Sequence, residues 1–249
     1  ILNSDKYEFA FEYEGQEIVA VTLSVNGGKP IENDLIYGSV EGMKTTEHGD
    51  SLAGAVIGLF KKDETNFTKD TALMTTTSAE DGSFSFANIP YGEWVVREIE
   101  QPIGFVLNET VFDVVIKENA QIVKIEIVNE FIMGDITLTK VDKEYPDNKL
   151  GGATFEVYKD NNADGKLDDG DTLIGTLTES EVGIYEMKDM RYGHYLIKET
   201  VAPDGFFLDE GVYAVFIETD GTTYVIENEA GVGFINNAMT GTLKIVKTS

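Results

Sequence analysis

The sequence predicts an all-β fold in which β-sandwich domains follow one another in a linear array. Apolar and polar residues alternate along many short segments, as they do from Tyr7 to Tyr13, and this is the period of a half-buried strand. Turn-forming pairs such as Glu14-Gly15 and Asp81-Gly82 separate these segments, and helical periodicity is scarce. Similar phrases also recur at intervals of about 100 residues, which is the size of one sandwich.

The recurring phrases give the frame of the repeat. A glycine stands six residues before a lysine three times, in the segments Gly38 to Lys44, Gly134 to Lys140 and Gly241 to Lys247. Each repeat ends in an asparagine five residues before the next of these glycines. These asparagines are Asn33, Asn129 and Asn236. These recurring glycines, lysines and asparagines predict two complete domains, 38–133 and 134–240. Residues 1–37 are expected to be the last strands of a preceding domain, and 241–249 the first strand of a following one, within a longer native chain.

The composition limits the classes of molecule that this protein can bind. Forty-five acidic residues stand against 19 basic ones, and the net charge of -26 would repel nucleic acids and anionic membranes. Apolar runs fall far short of the roughly 20 residues that a membrane-spanning helix needs. The sequence has no cysteine, so an extracellular array of this kind would need a reinforcement other than disulfides.

Three polar residues fall on the apolar faces of predicted strands. In the second domain Lys140 shares a face with Ile136 and Leu138, because side chains two residues apart point the same way. By the same parity Glu199 and Asn236 point inward, and so do their first-domain counterparts, which are Lys44, Glu98 and Asn129.

The first-domain set has two uncertain positions. Glu100 has the same parity as Glu98 and is a rival acid, and Gly42 stands where a larger apolar residue is expected. Trp94 is a candidate to fill the space beside this glycine.

Burial gives this trio a possible chemistry. A buried lysine and glutamate are costly unless they meet, and burial lowers the pKa of the amine and raises that of the carboxyl. A neutral lysine is a nucleophile. A protonated glutamate could polarise the asparagine carbonyl and move protons as ammonia leaves, which would produce a Lys–Asn isopeptide bond. The alternative is a buried ion pair, hydrogen-bonded to asparagine, that never reacts.

These residues resemble the hallmark of the Cna-B and SpaA-type pilin domains of Gram-positive surface proteins. The hallmark combines a first-strand lysine, a glutamate in a Lys/Arg-Glu pair after Tyr-Gly, and a last-strand asparagine. The resemblance implies Ig-like, prealbumin-like sandwiches of Cna-B type. It also implies self-formed bonds from Lys44 to Asn129 and from Lys140 to Asn236. At the two ends, Asn33 and Lys247 occupy reactive positions of flanking domains, and the residues that would react with them lie outside the sequence.

A calcium-type loop is predicted in the second domain. Residues 160–171 place oxygen ligands at the spacing of an EF-hand loop, with Gly165 at the sharp turn. The predicted ligands are Asp160, Asn162, Asp164, the carbonyl of Lys166, Asp168 and Asp171. Aspartate replaces the usual glutamate at the last position. The segments on both sides resemble strands, so the loop resembles the calcium loops of B-repeat surface proteins. The alternative is an acidic turn that binds no metal, since Asn, Asp and Gly favour turns.

The function expected from these features is structural. The chain is predicted to be a shaft or stalk segment of a pilus or adhesin in an extracellular, cell-wall-attached fibre. Its partners would be neighbouring domains of the same chain. The first alternative is a ligand-binding module for host matrix proteins or glycans, and a second is an accessory array on a secreted carbohydrase. Gly49-Asp50-Ser51-Leu52 matches a hydrolase motif, but neither His48 nor His194 has the aspartate that this motif requires three residues earlier. No enzyme activity beyond self-cross-linking is expected.

Overall fold

A computed structural model describes residues 8–14, 17–24, 34–227 and 233–247. The prediction of an all-β fold is confirmed, because the described residues form strands, bridges and turns. No helix long and apolar enough to span a membrane occurs in the described part of the chain. The chain divides into two compact units, residues 1–102 with 107–128 and residues 103–106 with 129–249.

The first unit contains three sheets. Strands β1 (Glu8–Glu14) and β2 (Glu17–Ser24) form an antiparallel hairpin. The remaining strands are β3 (Tyr37–Thr46), β4 (Val56–Lys61), β5 (Met74–Thr77), β6 (Ser83–Pro90), β7 (Gly92–Glu100), β8 (Phe112–Ile116) and β9 (Ile122–Asn129). They form sheets of order β6-β3-β9 and β5-β4-β7-β8. Strand β9 ends at the border of the two units.

Alternation along these strands turns apolar residues toward a core that both sheets share. Val40 and Ile127 come from one sheet, Ile57 and Val96 from the other, and all four are fully buried in one cluster. Strand β7 places Glu98 on this inner face. In β3 every second side chain points inward, and this spacing carries Lys44 into the same core.

The second unit repeats the arrangement. Its strands are β10 (Met133–Asp142), β11 (Thr154–Lys159), β12 (Thr172–Thr176), β13 (Thr178–Glu181), β14 (Ile184–Arg191), β15 (Gly193–Val201), β16 (Val212–Ile217), β17 (Thr222–Ile226) and β18 (Phe234–Asn236). One sheet has the order β13-β14-β10-β17, with β18 also beside β10, and the other has the order β12-β11-β15-β16. Apolar residues of both sheets, such as Leu138 and Ile197, form one buried cluster.

Strand β10 organises the site of this unit. It runs antiparallel to β14 and parallel to β17 from Gly134 to Leu138. Further along, Lys140 to Asp142 pair in parallel with β18. The first and last strands of the unit therefore lie side by side where Lys140 enters the core.

Candidate functional site

Lys140, Glu199 and Asn236 meet in the core of the second unit, where each is at most 1% exposed. Lys140 comes from β10, Glu199 from β15 of the facing sheet, and Asn236 ends β18. The Lys140 Nζ lies 3.0 Å from Glu199 Oε1 and donates a hydrogen bond to Asn236 Oδ1. Asn236 Nδ2 donates to Glu199 Oε1 at 3.1 Å and to Oε2 at 3.2 Å. Each of the three side chains therefore contacts the other two.

The surroundings of the Lys140 amine are apolar and aromatic. Its Nζ lies 5.6 Å from the ring centre of Phe155 and 5.8 Å from that of Phe234. Burial lowers the pKa of Lys140, and this effect outweighs the opposing hydrogen bond and charge of Glu199 and the charge of Asp209. A lowered pKa favours the neutral amine, which is the nucleophilic form of lysine.

The orientation of the Asn236 amide differs from the expected one. The sequence predicted that the glutamate would polarise the asparagine carbonyl, but the structure turns Nδ2 toward Glu199 and Oδ1 toward Lys140. The carboxyl group therefore lies beside the nitrogen that would leave as ammonia. This arrangement fits proton delivery to the leaving group.

The corresponding residues of the first repeat are also buried. Lys44, Glu98 and Asn129 are each at most 1% exposed. The Lys44 Nζ donates to the carbonyl oxygens of Ile127 at 3.1 Å and Thr45 at 3.3 Å. Burial lowers the pKa of Lys44 to about 8, although the charge of Glu98 acts in the opposite direction. Asn129 ends β9, the strand beside β3, so the lysine amine lies two residues from it along that strand.

The structure also resolves the two uncertain positions in this unit. Glu98 lies in the core, whereas the side chain of Glu100 is 54% exposed and pairs with Lys69 at 2.7 Å. The space beside Gly42 is filled by Phe84 and not by Trp94. A Cβ atom at Gly42 would lie 2.0 Å from Phe84 Cζ, so the ring occupies the position of the missing side chain.

A backbone contact holds the glutamate in both units, and the sequence analysis missed it. Glu199 Oε2 accepts a hydrogen bond from the backbone N–H of Asp209 at 2.7 Å. Glu98 Oε2 accepts the same bond from Asn108 at 2.8 Å. The donor lies ten residues after the glutamate in each repeat.

The two terminal candidates stand apart from these sites. Asn33 lies outside the described residues. Lys247 is exposed, in a segment from Gly241 to Lys247 that carries no strand in the described structure. Leu243 and Ile245 are 84% and 82% exposed, although their counterparts Ile136 and Leu138 are fully buried.

The predicted calcium loop lies between β11 and β12. Asp160 is 4% exposed, and its Oδ2 accepts the backbone N–H of Gly165 at 2.9 Å. Its buried Oδ1 has no hydrogen-bond partner among the described residues. A carboxylate with one oxygen fixed by the loop and the other without a donor fits a metal ligand, since buried polar atoms normally have partners.

The other predicted ligands are turned toward the backbone of the loop. Asn162 Oδ1 accepts from Asp164 N, Asp164 Oδ1 from Lys166 N, and Asp168 Oδ1 from Gly170 N. Asp171 accepts from the backbone N–H groups of Asn161 and Asp168. Throughout the described part of the chain, no three acidic or histidine side chains converge on one point that could hold a metal ion.

Three solved structures illustrate the likeness of this fold to known proteins. The Bacillus anthracis TIE protein is 25% identical over 82% of this chain, with a TM-score of 0.63, and the chain spans 34% of its length. A streptococcal ancillary pilin is 20% identical over 96% of this chain and 73% of its own, with a TM-score of 0.37. BcpA, the major pilin subunit of Bacillus cereus, is 18% identical over 81% of this chain and 99% of its own, with a TM-score of 0.33.

No curated protein matches the sequence. The family model for the SpaA prealbumin-like fold domain matches it twice, over residues 38–131 and 134–230. Together the two matches cover well over half of the chain, and each contains a buried lysine and glutamate of the predicted sites. The chain belongs to the family of SpaA prealbumin-like fold domains.

Proposed function

We propose that this chain is a shaft or stalk segment of a bacterial surface fibre in which each complete domain closes its own Lys–Asn isopeptide bond. The observation that carries the proposal is the mutual contact of Lys140, Glu199 and Asn236 in a core from which water is excluded. The proposed domains are 38–133 and 134–240.

The chemistry begins with a proton transfer. Lys140 Nζ passes a proton to Glu199 Oε1 across 3.0 Å, which leaves a neutral amine and a carboxylic acid. The amine attacks Cγ of Asn236, and a C–N bond forms as the carbonyl becomes tetrahedral. Glu199 gives its proton to Nδ2, which lies 3.1 Å from Oε1, and takes one of the two protons on the attacking nitrogen, which keeps the other. Collapse expels ammonia and leaves an amide between Lys140 and Asn236.

The same steps apply to Lys44, Glu98 and Asn129. With a pKa of about 8, roughly a tenth of the Lys44 amine is neutral at pH 7, far more than for an unperturbed lysine. Glu98 is buried and held by the N–H of Asn108, as Glu199 is held by that of Asp209.

Such a bond stabilises each domain. It joins the first strand to the last and closes a loop of about 100 residues, for which the disulfide analogy gives roughly 4 to 5 kcal/mol. In a chain without cysteine, these bonds would take the place of disulfides.

Intact-mass spectrometry of the purified chain tests the cross-links. The expected mass is that of the sequence less two molecules of ammonia. A mass equal to that of the sequence would show that the trios are ion pairs that do not react.

The fibre role rests on the tandem repeat, the covalent ties and the strong negative charge. Like charges along the chain disfavour self-association and contact with anionic membranes. The partners would be neighbouring domains of the same longer chain, and the location would be extracellular and attached to the cell wall.

A cleft in the first unit favours the ligand-binding alternative. Its volume is about 940 Å³, and it is lined by residues such as Met43, Thr76, Ser85 and Lys124. Solid-phase binding to host matrix proteins and glycans separates the two functions. Specific, saturable binding that Met43→Ala weakens would favour a ligand-binding module over a shaft segment.

We also propose that residues 160–171 bind calcium. Asp160 supports this proposal, because its buried Oδ1 has no donor among the described residues while Gly165 fixes its other oxygen. The ligands would be the side chains of Asp160, Asn162, Asp164, Asp168 and Asp171 with the carbonyl of Lys166. Bound calcium would neutralise the carboxylates that crowd this loop.

A further inference from the structure

Residue 209 in the second domain and residue 108 in the first occupy equivalent positions beside the glutamate. In each case the backbone N–H binds Oε2 of the glutamate, at 2.7 Å for Asp209 and 2.8 Å for Asn108. In the second domain this bond leaves Oε1 as the oxygen that faces both Lys140 Nζ and Asn236 Nδ2. Oε2 also accepts from Asn236 Nδ2 at 3.2 Å, but it is Oε1 that lies 3.0 Å from the lysine amine.

The side chains at these positions differ in charge. Asp209 is fixed by Tyr213, whose hydroxyl donates to Oδ2 at 2.7 Å, and by the N–H of Gly211, which donates to Oδ1 at 2.9 Å. Asn108 is fixed in a similar way. Its Oδ1 accepts from Thr110 N at 2.9 Å, and its Nδ2 donates to Val128 O at 2.7 Å. The first domain therefore has a neutral amide where the second has a carboxylate.

The charge of Asp209 reaches the reacting lysine. Among the described residues, Glu199 and Asp209 are the carboxylates that raise the pKa of Lys140 against the effect of burial. In the first domain the charge of Glu98 raises the pKa of Lys44, and the position equivalent to Asp209 carries no carboxylate. A negative charge beside Lys140 favours its protonated form and raises the pKa of the amine, so the neutral, nucleophilic amine forms at higher pH.

We infer that residues 209 and 108 are positioning residues that clamp the catalytic glutamate through their backbone and, through their side-chain charge, set the pH range in which each cross-link forms. The inference rests on the proposed isopeptide chemistry. It predicts that exchanging Asp and Asn at this position in one domain shifts the pH range in which that domain forms its cross-link. The pH range of the other domain should not change.

Refolding of unreacted chain tests the inference. The full chain is assembled by peptide ligation in denaturant, so that neither site has formed, and is then refolded by dilution at a series of pH values. Samples are quenched in acid and digested. The cross-linked peptides that contain Lys44 and Lys140 are quantified by mass spectrometry, which gives a separate rate for each bond.

Asp209→Asn is expected to displace the pH–rate profile of the Lys140 bond toward lower pH, by on the order of one pH unit for one nearby charge. The Lys44 bond in the same molecules should keep its profile and serves as the folding control. Asn108→Asp is expected to displace the profile of the Lys44 bond toward higher pH. Glu210→Gln removes a charge from the exposed neighbour of Asp209 and should leave both profiles in place.

The outcomes distinguish the role of residue 209 from the isopeptide chemistry on which that role rests. If the unsubstituted chain forms both bonds but the Asp209→Asn profile coincides with it, or the rate falls equally at every pH, the role of residue 209 is refuted and the cross-link stands. If the unsubstituted chain forms no bond at any pH, the isopeptide chemistry itself is refuted.

Discussion

The amide nitrogen of Asn236 lies between the two carboxylate oxygens of Glu199, 3.1 Å from Oε1 and 3.2 Å from Oε2. The nucleophile, Lys140 Nζ, contacts the other end of the same amide. Glu199 is therefore placed to act on the group that departs. In the proposed reaction this relationship assigns the release of ammonia to the glutamate, even though lysine and asparagine already touch.

Glu199→Ala should leave Lys140 and Asn236 unlinked. The intact mass should then be higher by one ammonia than that of the unsubstituted chain. The melting temperature of the second domain should fall by more than about 10 °C, because the closed loop is lost and a buried lysine has no counterion.

Glu98→Ala should have the same effect in the first domain alone. Glu100→Ala is the matched control, because Glu100 is largely exposed and pairs with Lys69. Loss of the first-domain cross-link in Glu100→Ala but not in Glu98→Ala would show that the acid of this site has been assigned wrongly.

The buried Lys44 predicts a pH dependence of stability when the cross-link is prevented. In an Asn129→Ala chain, Lys44 has a pKa of about 8 when folded and 10.5 when unfolded. Between these values the unfolded chain binds the proton more tightly, so the free energy of unfolding should rise with pH, by about 3 kcal/mol at most.

Urea unfolding of Asn129→Ala between pH 7 and pH 10 measures this rise. Asn129→Ala with Lys44→Met is the control, since it keeps every other titrating group. Equal pH dependence in the two chains would contradict a lowered pKa at Lys44.

Calcium should bind to the chelator-stripped chain with a measurable heat. Asp160→Ala and Asp164→Ala should remove this heat, because each loses a carboxylate ligand. Asp169→Ala is the control within the loop, since Asp169 is exposed and stands outside the ligand spacing. Equal heats in all four proteins on calorimetric titration would eliminate the site.

Gly42→Ala should destabilise the first domain by about 1 to 3 kcal/mol, because the new methyl group overlaps the ring of Phe84. Adding Phe84→Leu should recover part of the loss. Gly241→Ala, where a Cβ atom meets no neighbour within 4 Å, should change little. Denaturant unfolding of the four chains measures these differences, and a stable Gly42→Ala chain would disprove the overlap.

The two ends of the chain should not react with each other. Lys247 is exposed, and neither end of the sequence supplies a glutamate in the repeat frame to activate it. Purified chain should therefore run as a single species on denaturing gel electrophoresis. A covalent ladder formed without added enzyme would show that Lys247 or Asn33 reacts unaided.

The sequence was sufficient to predict the inward side of the strands that carry the lysine and the glutamate of each site, but not that 241–247 would carry no strand. Burial of Lys140 and Glu199 follows from their parity with apolar neighbours, because side chains in a strand must alternate between two faces. The all-β fold follows from the same pattern and from the repeat, whereas the SpaA family was predicted from a resemblance to its Lys, Glu and Asn hallmark.

Other features of the site depend on contacts that no periodicity reveals. The N–H groups of Asp209 and Asn108 lie in irregular segments. Every non-proline residue has such a backbone donor, so the residue type does not predict which one binds the glutamate. Phe84 covers Gly42 from a neighbouring strand, which depends on the register of β3 and β6. The orientation of the Asn236 amide is decided by its two charged neighbours in space.

The parallel pairing of β10 with β18 has a consequence for extension of the chain. A pull applied at the two ends of the second domain enters at the start of β10 and leaves at the end of β18, beside Lys140. With the proposed bond in place, tension would pass from β10 directly through the Lys140–Asn236 amide. The chain between these residues, which are 96 apart in sequence, would stay slack. Unfolding that segment would otherwise add about 300 Å of contour length. The domain would then act as an inextensible link whose length is that of its first strand.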